Sequence, residues 1–325
     1  MANSLDQFLC DYNAKISETR KSDDQRFLIY SVKRHEVFSQ SRLVGGLADR
    51  LKGIVASFCL ATLTDRRFVI EWDTPFDLTH NFKPSQYDWL FSNARKFILQ
   101  TMSVMHVDMI DRSELVDKLT PEKIESEVFG GANVVILNIN SPRVQMFLNH
   151  FTENYNTDLA FNHLFTTVFK FLFNFVEKPT FAESRAAIRE VREASDMLVG
   201  VHLRTGAGNG WKDPGLDDWQ NYSKVLEYAF EHARESGAKD PSFYFISDSV
   251  EARNKVLAES WPHRVHCDLF TPTHMDRSGE ADIEGNDLTY HEFQMLSSTD
   301  RIVSGQGGFA ALAAQMGGKP FLRYV

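Results

Sequence analysis

Apolar runs of five to seven residues, each closed by glycines or by a polar turn, punctuate this chain, and their spacing predicts where strands and helices fall. In the first half, Arg26-Phe27-Leu28-Ile29-Tyr30-Ser31-Val32 reads as a strand. It is followed by the glycine turn Gly45-Gly46, a helix from Leu47 to about Thr62, and a second strand at Arg67-Phe68-Val69-Ile70-Glu71-Trp72. Strand, helix and strand at these distances form one βαβ unit. Beyond it the pattern turns helical, with segments from Ser85 to Leu99 and from Arg143 to Glu153 on either side of an isolated strand, Val134-Val135-Ile136-Leu137. A phenylalanine-rich segment then runs from Asp158 to Val176. Phe161, Phe165, Phe169 and Phe173, joined by Val168 and Leu172, recur at helical spacing, which argues for packing on a core over an apolar substrate groove. Pro179 and Thr180-Phe181-Ala182-Glu183 have the form of a capping box opening another helix, which ends near Ser195.

From Met197 onward strands and helices alternate. Strands are predicted at 197–203, 242–247, 264–266, 301–304 and 320–324, with helices at 217–236, 251–258, 287–297 and 309–316 and a loop over 268–286. Such alternation implies right-handed crossovers and a parallel sheet covered on both faces. The expected layout is α/β in two domains, the second Rossmann-like. It comprises a polar N-terminal arm (1–25), a first α/β domain (26–180), a connecting helix (181–196) and a Rossmann-like second domain (197–325).

Composition narrows the options. A chain of 325 residues, 43% hydrophobic and 24% charged, is long enough for two cores of ordinary size. Its formal charge of -9 and scattered basic residues argue against a nucleic-acid partner. The polar first 25 residues and the lack of any long apolar stretch give no sign of a leader or a membrane span. Three cysteines, Cys10, Cys59 and Cys267, lack metal-ligand spacing and fit free thiols in a reducing compartment, so the cytoplasm is the expected location.

The chemistry collects at predicted strand ends in the second half. His202-Leu203-Arg204 closes one apolar strand and opens the stretch Thr205-Gly206-Ala207-Gly208-Asn209-Gly210. An arginine there faces the crevice in which open α/β sheets hold ligands, and its planar fork suits phosphate oxygens; the same residue also suits a surface ion pair. Ser304-Gly305-Gln306-Gly307-Gly308-Phe309 reads as strand, small-residue turn and helix start, either an anion cradle or a tight connection needing glycine. Asp248 admits two readings, a donor contact or the cap of the helix that follows. Asp49 reads as a solvated helix-start carboxylate or a ligand contact. Glu292 reads as a solvated helix face or a ligand reader.

These segments also resemble a known family. Gly45-Gly46-Leu47-Ala48-Asp49-Arg50 with Asp65-Arg66-Arg67-Phe68-Val69-Ile70-Glu71-Trp72, Gly200-Val201-His202-Leu203-Arg204, Phe243-Tyr244-Phe245-Ile246-Ser247-Asp248, and Glu292-Phe293-Gln294-Met295-Leu296-Ser297 with Ile302-Val303-Ser304 resemble motifs of the metal-independent fucosyltransferase superfamily. That superfamily includes α-1,2-, α-1,6- and protein O-fucosyltransferases, and the Gly-Asn-Gly stretch after the arginine is most similar to bacterial nodulation α-1,6-fucosyltransferases. The resemblance covers about residues 26–72 and 197–325. It implies a GT-B-like fold, two Rossmann-like domains facing a cleft with 26–180 on the acceptor side and 197–325 binding the nucleotide sugar. It also implies transfer of fucose from GDP-fucose, with inversion and without a bound metal or other cofactor, to a glycan or glycosylated acceptor.

Carried over residue by residue, the resemblance implies that Arg204 holds the diphosphate and stabilises the charge that grows on it as the glycosidic bond breaks. His202 would contact the nucleoside, Glu292 would take the acidic guanine-reading position, and Gly307 and Gly308 would present backbone donors. Gly45, Gly46, Asp49, Arg50 and Asp248 complete the implied donor site. Asp213, in the loop after Arg204, is the candidate base for the acceptor hydroxyl, with Asp49 second.

Three positions depart from the family pattern. Thr205 stands where many members carry a second arginine, leaving Arg50 and Lys212 as substitute cations. Glu292 replaces an aspartate, and Gly-Gln-Gly-Gly replaces a serine-rich turn. No Asp-x-Asp pair is present to hold a divalent ion under a nucleotide sugar, and His-Glu-x-x-His, Gly-x-Ser-x-Gly and the P-loop signature are also absent. A catalytically silent nucleotide- or glycan-binding protein on the same scaffold, or a transferase using another nucleotide sugar, are the alternatives.

Overall fold

In the computed structural model the strongest apolar runs are strands buried on both faces. The structure describes residues 4–19, 25–32, 45–99, 103–110, 118–155, 159–206, 216, 218–270 and 283–324. The chain divides into two units, Met1–Asn174 and Phe175–Val325.

The first unit opens with helix α1 (Ser4–Thr19), which the sequence reading took for part of a polar arm. Leu5, Leu9, Tyr12 and Ile16 recur three or four residues apart, so they form one apolar stripe inside an otherwise polar segment, and all four are buried. The Tyr12 hydroxyl donates to the Arg66 carbonyl at 2.5 Å. The elements that follow are β1 (Phe27–Val32), α2 (Leu47–Leu63), β2 (Arg67–Trp72), β3 (Phe82–Pro84), α3 (Phe91–Leu99) and β4 (Val104–Asp108). After them come α4 (Pro121–Lys123), β5 (Val134–Asn138), α5 (Gln145–Tyr155), α6 (Phe161–Leu172) and β6 (Phe173–Phe175). The sheet order is β2-β1-β5-β4, with every pair parallel. The strand expected to stand alone, at 134–137, is therefore interior, flanked by β1 and β4.

The predicted 85–99 helix begins only at Phe91, because Ser85 and Gln86 donate their N–H groups to the Leu172 and Phe171 carbonyls (3.1 and 3.0 Å). Trp89 Nε1 also donates to Leu172 O at 2.7 Å, holding 85–89 along the end of α6. The phenylalanine stripe is core: Phe165, Phe169 and Phe173 are buried and their rings lie in contact along the helix.

The second unit contains α7 (Ala182–Glu193), β7 (Met197–Leu203), α8 (Tyr222–Glu235), β8 (Pro241–Ser247), α9 (Val250–Ala258) and β9 (Arg264–His266). It ends with α10 (Ile283–Ser298), β10 (Arg301–Ser304), α11 (Gly308–Gly317) and β11 (Phe321–Arg323). The alternation forms one parallel sheet, β11-β10-β7-β8-β9, as the sequence predicts. The expected capping box at Thr180 does not form. A 3₁₀ turn at Pro179–Phe181 moves the helix start past Thr180, and Phe181 takes the cap position without a side-chain bond. Helix α7 belongs to the second unit: Ser184 donates to Asp268 at 2.9 Å, and Arg192 pairs with Asp300 at 2.7 Å. Among the described residues no helix is long and apolar enough to cross a membrane.

Helix α2 crosses its sheet so closely that a Cβ on Gly53 would sit 1.9 Å from the Ile139 carbonyl oxygen. Backbone on both sides prevents relief by a rotamer change. Gly53→Ala should therefore cost about 1–3 kcal/mol or more of stability, read as a lower denaturant midpoint; an unchanged midpoint would contradict this helix-on-strand packing.

Candidate functional site

In a parallel sheet all strands deliver their carboxyl ends to one edge, where open α/β sheets bind ligands. In the second unit that edge carries His202 and Arg204 at the end of β7, Ser247 and Asp248 at the end of β8, and Ser304 to Gly308 at the end of β10. Strand register sets His202 opposite Ser304, and its Nδ1 lies 3.0 Å from the Ser304 hydroxyl. The ring is 6% exposed and sits 5.5 Å from that of Phe309. Burial pushes its pKa down to about 4; Asp248 opposes this, while the charges of Arg204 and Arg253 add to it. At neutral pH the imidazole is uncharged, able to offer one donor and one acceptor.

Arg204 and Gly307 lie against one another. Gly307 has φ +104°, a conformation glycine adopts without penalty, and a Cβ there would lie 2.8 Å from Arg204 Cδ. The space a side chain would need is filled by the aliphatic stem of the arginine. Gly307 is also the N-cap of the ten-residue α11 and supplies no side-chain cap, so the first amides of the helix and the positive end of its dipole are left for an anion beside Arg204. Thus Arg204, His202, Gly307 and Gly308, all picked out in the sequence, meet on one edge.

Asp248 joins them in a role the sequence reading did not weigh. It is not the cap of α9; Ser249 is, accepting from Ala252 N at 3.2 Å. Both oxygens of Asp248 face the turn after Arg204, accepting from Thr205 N (2.7 Å), Thr205 Oγ1 (2.9 Å) and Gly206 N (2.9 Å).

Glu292 is neither solvated nor alone. Its carboxylate is 4% exposed, and Oε1 lies 2.6 Å from Nη1 of Arg253, which is itself fully buried. Burial raises the Glu292 pKa, with Arg253 opposing. Arg253 further donates to Ser247 O at 2.6 Å and Asp268 O at 2.9 Å, tying the ends of β8 and β9 to α10. Asp268 accepts from Ser184 and from the Tyr244 hydroxyl (3.1 Å), and Ser184 Oγ lies 2.9 Å from His291 Nε2. Burial pushes His291 to about 4 as well, against the pull of Asp268. Sequence reasoning missed this cluster. The available signal was Arg253 itself, set between Ala252 and Val256 on the inward face of a short helix.

The remaining candidates lie in the first unit. Gly46 is the N-cap of α2. Arg50, proposed as a substitute cation, is 1% exposed: it donates to Gly45 O at 2.9 Å and Thr74 O at 2.5 Å and lies 5.0 Å from the Trp72 ring centroid. Its charge is committed to holding the loops that flank α2 and β2, so it is not an exposed second cation. Asp49 is a half-exposed carboxylate 3.3 Å from Lys52. Asp213 and Lys212 lie outside the described residues. Among the described residues no group of three His, Cys, Asp or Glu side chains is arranged to hold a metal ion.

No family model and no curated protein matches the sequence. Solved structures do. An arginine-to-lysine variant of Arabidopsis thaliana FUT1 in complex with GDP is 14% identical and covers 96% of this chain and 73% of its own, with a TM-score of 0.56. A NodZ α-1,6-fucosyltransferase soaked with GDP-fucose is 16% identical over 90% of this chain and 92% of its own, at 0.49. Likeness to the first fixes the fold: this chain has the α/β, GT-B-like fold of that fucosyltransferase structure.

The two depressed histidines have a consequence for stability. The unfolded chain takes up each proton near pH 6.5 and the folded chain only near 4, so stability should fall as pH drops through that window, by about 1.4 kcal/mol per pH unit for each histidine. Denaturant midpoints measured from pH 7 to 4 should fall less steeply in His202→Gln and in His291→Gln than in the wild type. Slopes identical to the wild type would show that neither ring is held neutral.

Proposed function

We propose that this protein is a fucosyltransferase that takes fucose from GDP-fucose, with inversion and without a bound metal, and passes it to a hydroxyl of a glycan or glycosylated acceptor. The observation that carries the reading is the seat of Arg204 against Gly307, which sets a permanent cation beside the uncapped first turn of α11. Arg204, Gly307 and Gly308 take the diphosphate. As the bond between the sugar C1 and the phosphate oxygen breaks, negative charge gathers on the leaving GDP, and a preorganised guanidinium with backbone amides lowers the energy of that state more than of the ground state. The acceptor oxygen bonds to C1 from the opposite face, and its proton passes to a carboxylate, for which Asp213 is the choice and Asp49 the second.

His202, as a neutral ring, would contact the nucleoside, and the carboxylate of Glu292 would read its guanine. A carboxylate accepts both the N1 and N2 protons of guanine and finds no such pair on uracil or adenine. With one arginine serving the leaving group, no cation chelated by the protein is needed. Support for the sugar comes from the fold shared with a fucosyltransferase solved with GDP, together with the motif resemblance at Arg204, Asp248 and Glu292.

A melting panel tests the nucleotide. GDP at about 100 times its dissociation constant should stabilise the protein by about 2.7 kcal/mol, with UDP and ADP giving smaller shifts; a preference for UDP or ADP overturns the donor assignment. Slow release of GDP from GDP-fucose without acceptor should persist in EDTA and drop by about 100-fold or more in Arg204→Ala. Affinity for GDP without any release marks a binding protein instead.

A further inference from the structure

The turn that follows Arg204 is held by a carboxylate from another strand. The N–H groups of Thr205 and Gly206 converge on Asp248, and the Thr205 hydroxyl adds a third bond. Two successive amides pointing the same way, with Gly206 at φ +68°, make the small concavity that elsewhere receives an anion. Here the anion is internal. Bonds between backbone N–H and an ionised carboxylate are charge-assisted, so this turn is fixed more firmly than neutral contacts would fix it.

Asp248 is itself delivered rigidly. The preceding residue, Ser247, ends β8 with its carbonyl bound to the buried Arg253, and the following one, Ser249, caps α9. Thr205 is 8% exposed, and its hydroxyl is directed into the same carboxylate. Arg204 is thus constrained twice, its backbone by the Asp248-bound turn after it and its stem by Gly307.

We infer that Asp248 and Thr205 are positioning residues, which set the direction in which Arg204 leaves β7 and act on the ligand only through it. This rests on the proposed function. It differs from a direct donor contact by Asp248, because it assigns the Thr205 hydroxyl a share in turnover that direct contact would not give it.

Three variants separate the possibilities. Asp248→Asn keeps an acceptor for Thr205 but turns an amide N–H₂ toward Gly206 N–H; Thr205→Val removes the hydroxyl alone; Thr205→Ser restores it. With GDP-fucose and no acceptor, kcat for GDP release should fall by about tenfold or more in Asp248→Asn and by about threefold or more in Thr205→Val, while KM moves by less than about threefold. Thr205→Ser should return to within about twofold of the wild type.

Wild-type kcat in Thr205→Val, a loss confined to KM, or a Thr205→Ser as impaired as Thr205→Val overturns the inference. If Asp248→Asn does not fold, the Thr205 pair decides. In a wild type that binds GDP without turning over GDP-fucose, the same variants are read by GDP affinity, with Thr205→Val expected to lose about threefold or more and Thr205→Ser to recover it. A wild type that neither binds GDP nor releases it overturns the proposed function and this inference together, whereas an active wild type with silent variants overturns the inference alone.

Discussion

A single contact organises the second unit: the stem of Arg204 lies where a side chain on residue 307 would have to be. A guanidinium on a flexible stem is a poor electrostatic device unless its approach is fixed beforehand, because the entropy of ordering it is then lost at the moment of reaction. Here the ordering is built into the scaffold. β7 carries the arginine to the sheet edge, parallel β10 brings the glycine turn to the same edge, and α11 starts beside the arginine's stem. A side chain at 307 would cost that geometry even if the fold survived.

Behind the edge stands a buried layer of charge. Arg253 and Glu292, at 2.6 Å, are both out of water, and a buried ion pair is weak evidence for stability because desolvation offsets much of the attraction. What the pair does contribute is direction: Arg253 binds two strand-end carbonyls, so the ends of β8 and β9 are held relative to α10. Glu292 is held in turn.

The parts legible in the sequence were those governed by short-range pattern. Strands β1, β2, β7, β8 and β10 are apolar runs bounded by turn residues, and the parallel order of the second sheet follows from their alternation with helices. The strand-edge placement of Arg204, His202 and Gly307 was legible because a strand end beside glycines is a local signature. What escaped depends on partners remote in sequence. Helix α1 looked polar because its apolar stripe is only one face wide. The 85–89 segment has helical character, but carbonyls more than eighty residues away claim its donors. Arg50 resembles any basic residue at a helix start until Gly45 O and Thr74 O are seen to occupy it. Asp248 admits a cap reading on local pattern alone, but Ser249 takes that position, and the amides Asp248 binds lie more than forty residues away.

The most direct measurement is a crystal structure of the protein with GDP and no added metal. The account predicts the Arg204 guanidinium on the diphosphate oxygens, within hydrogen-bond distance, with the amides of Gly307 and Gly308 on the same group and no cation between them. A diphosphate bound away from this edge, Arg204 turned from it, or a metal ion bridging the phosphates would contradict it.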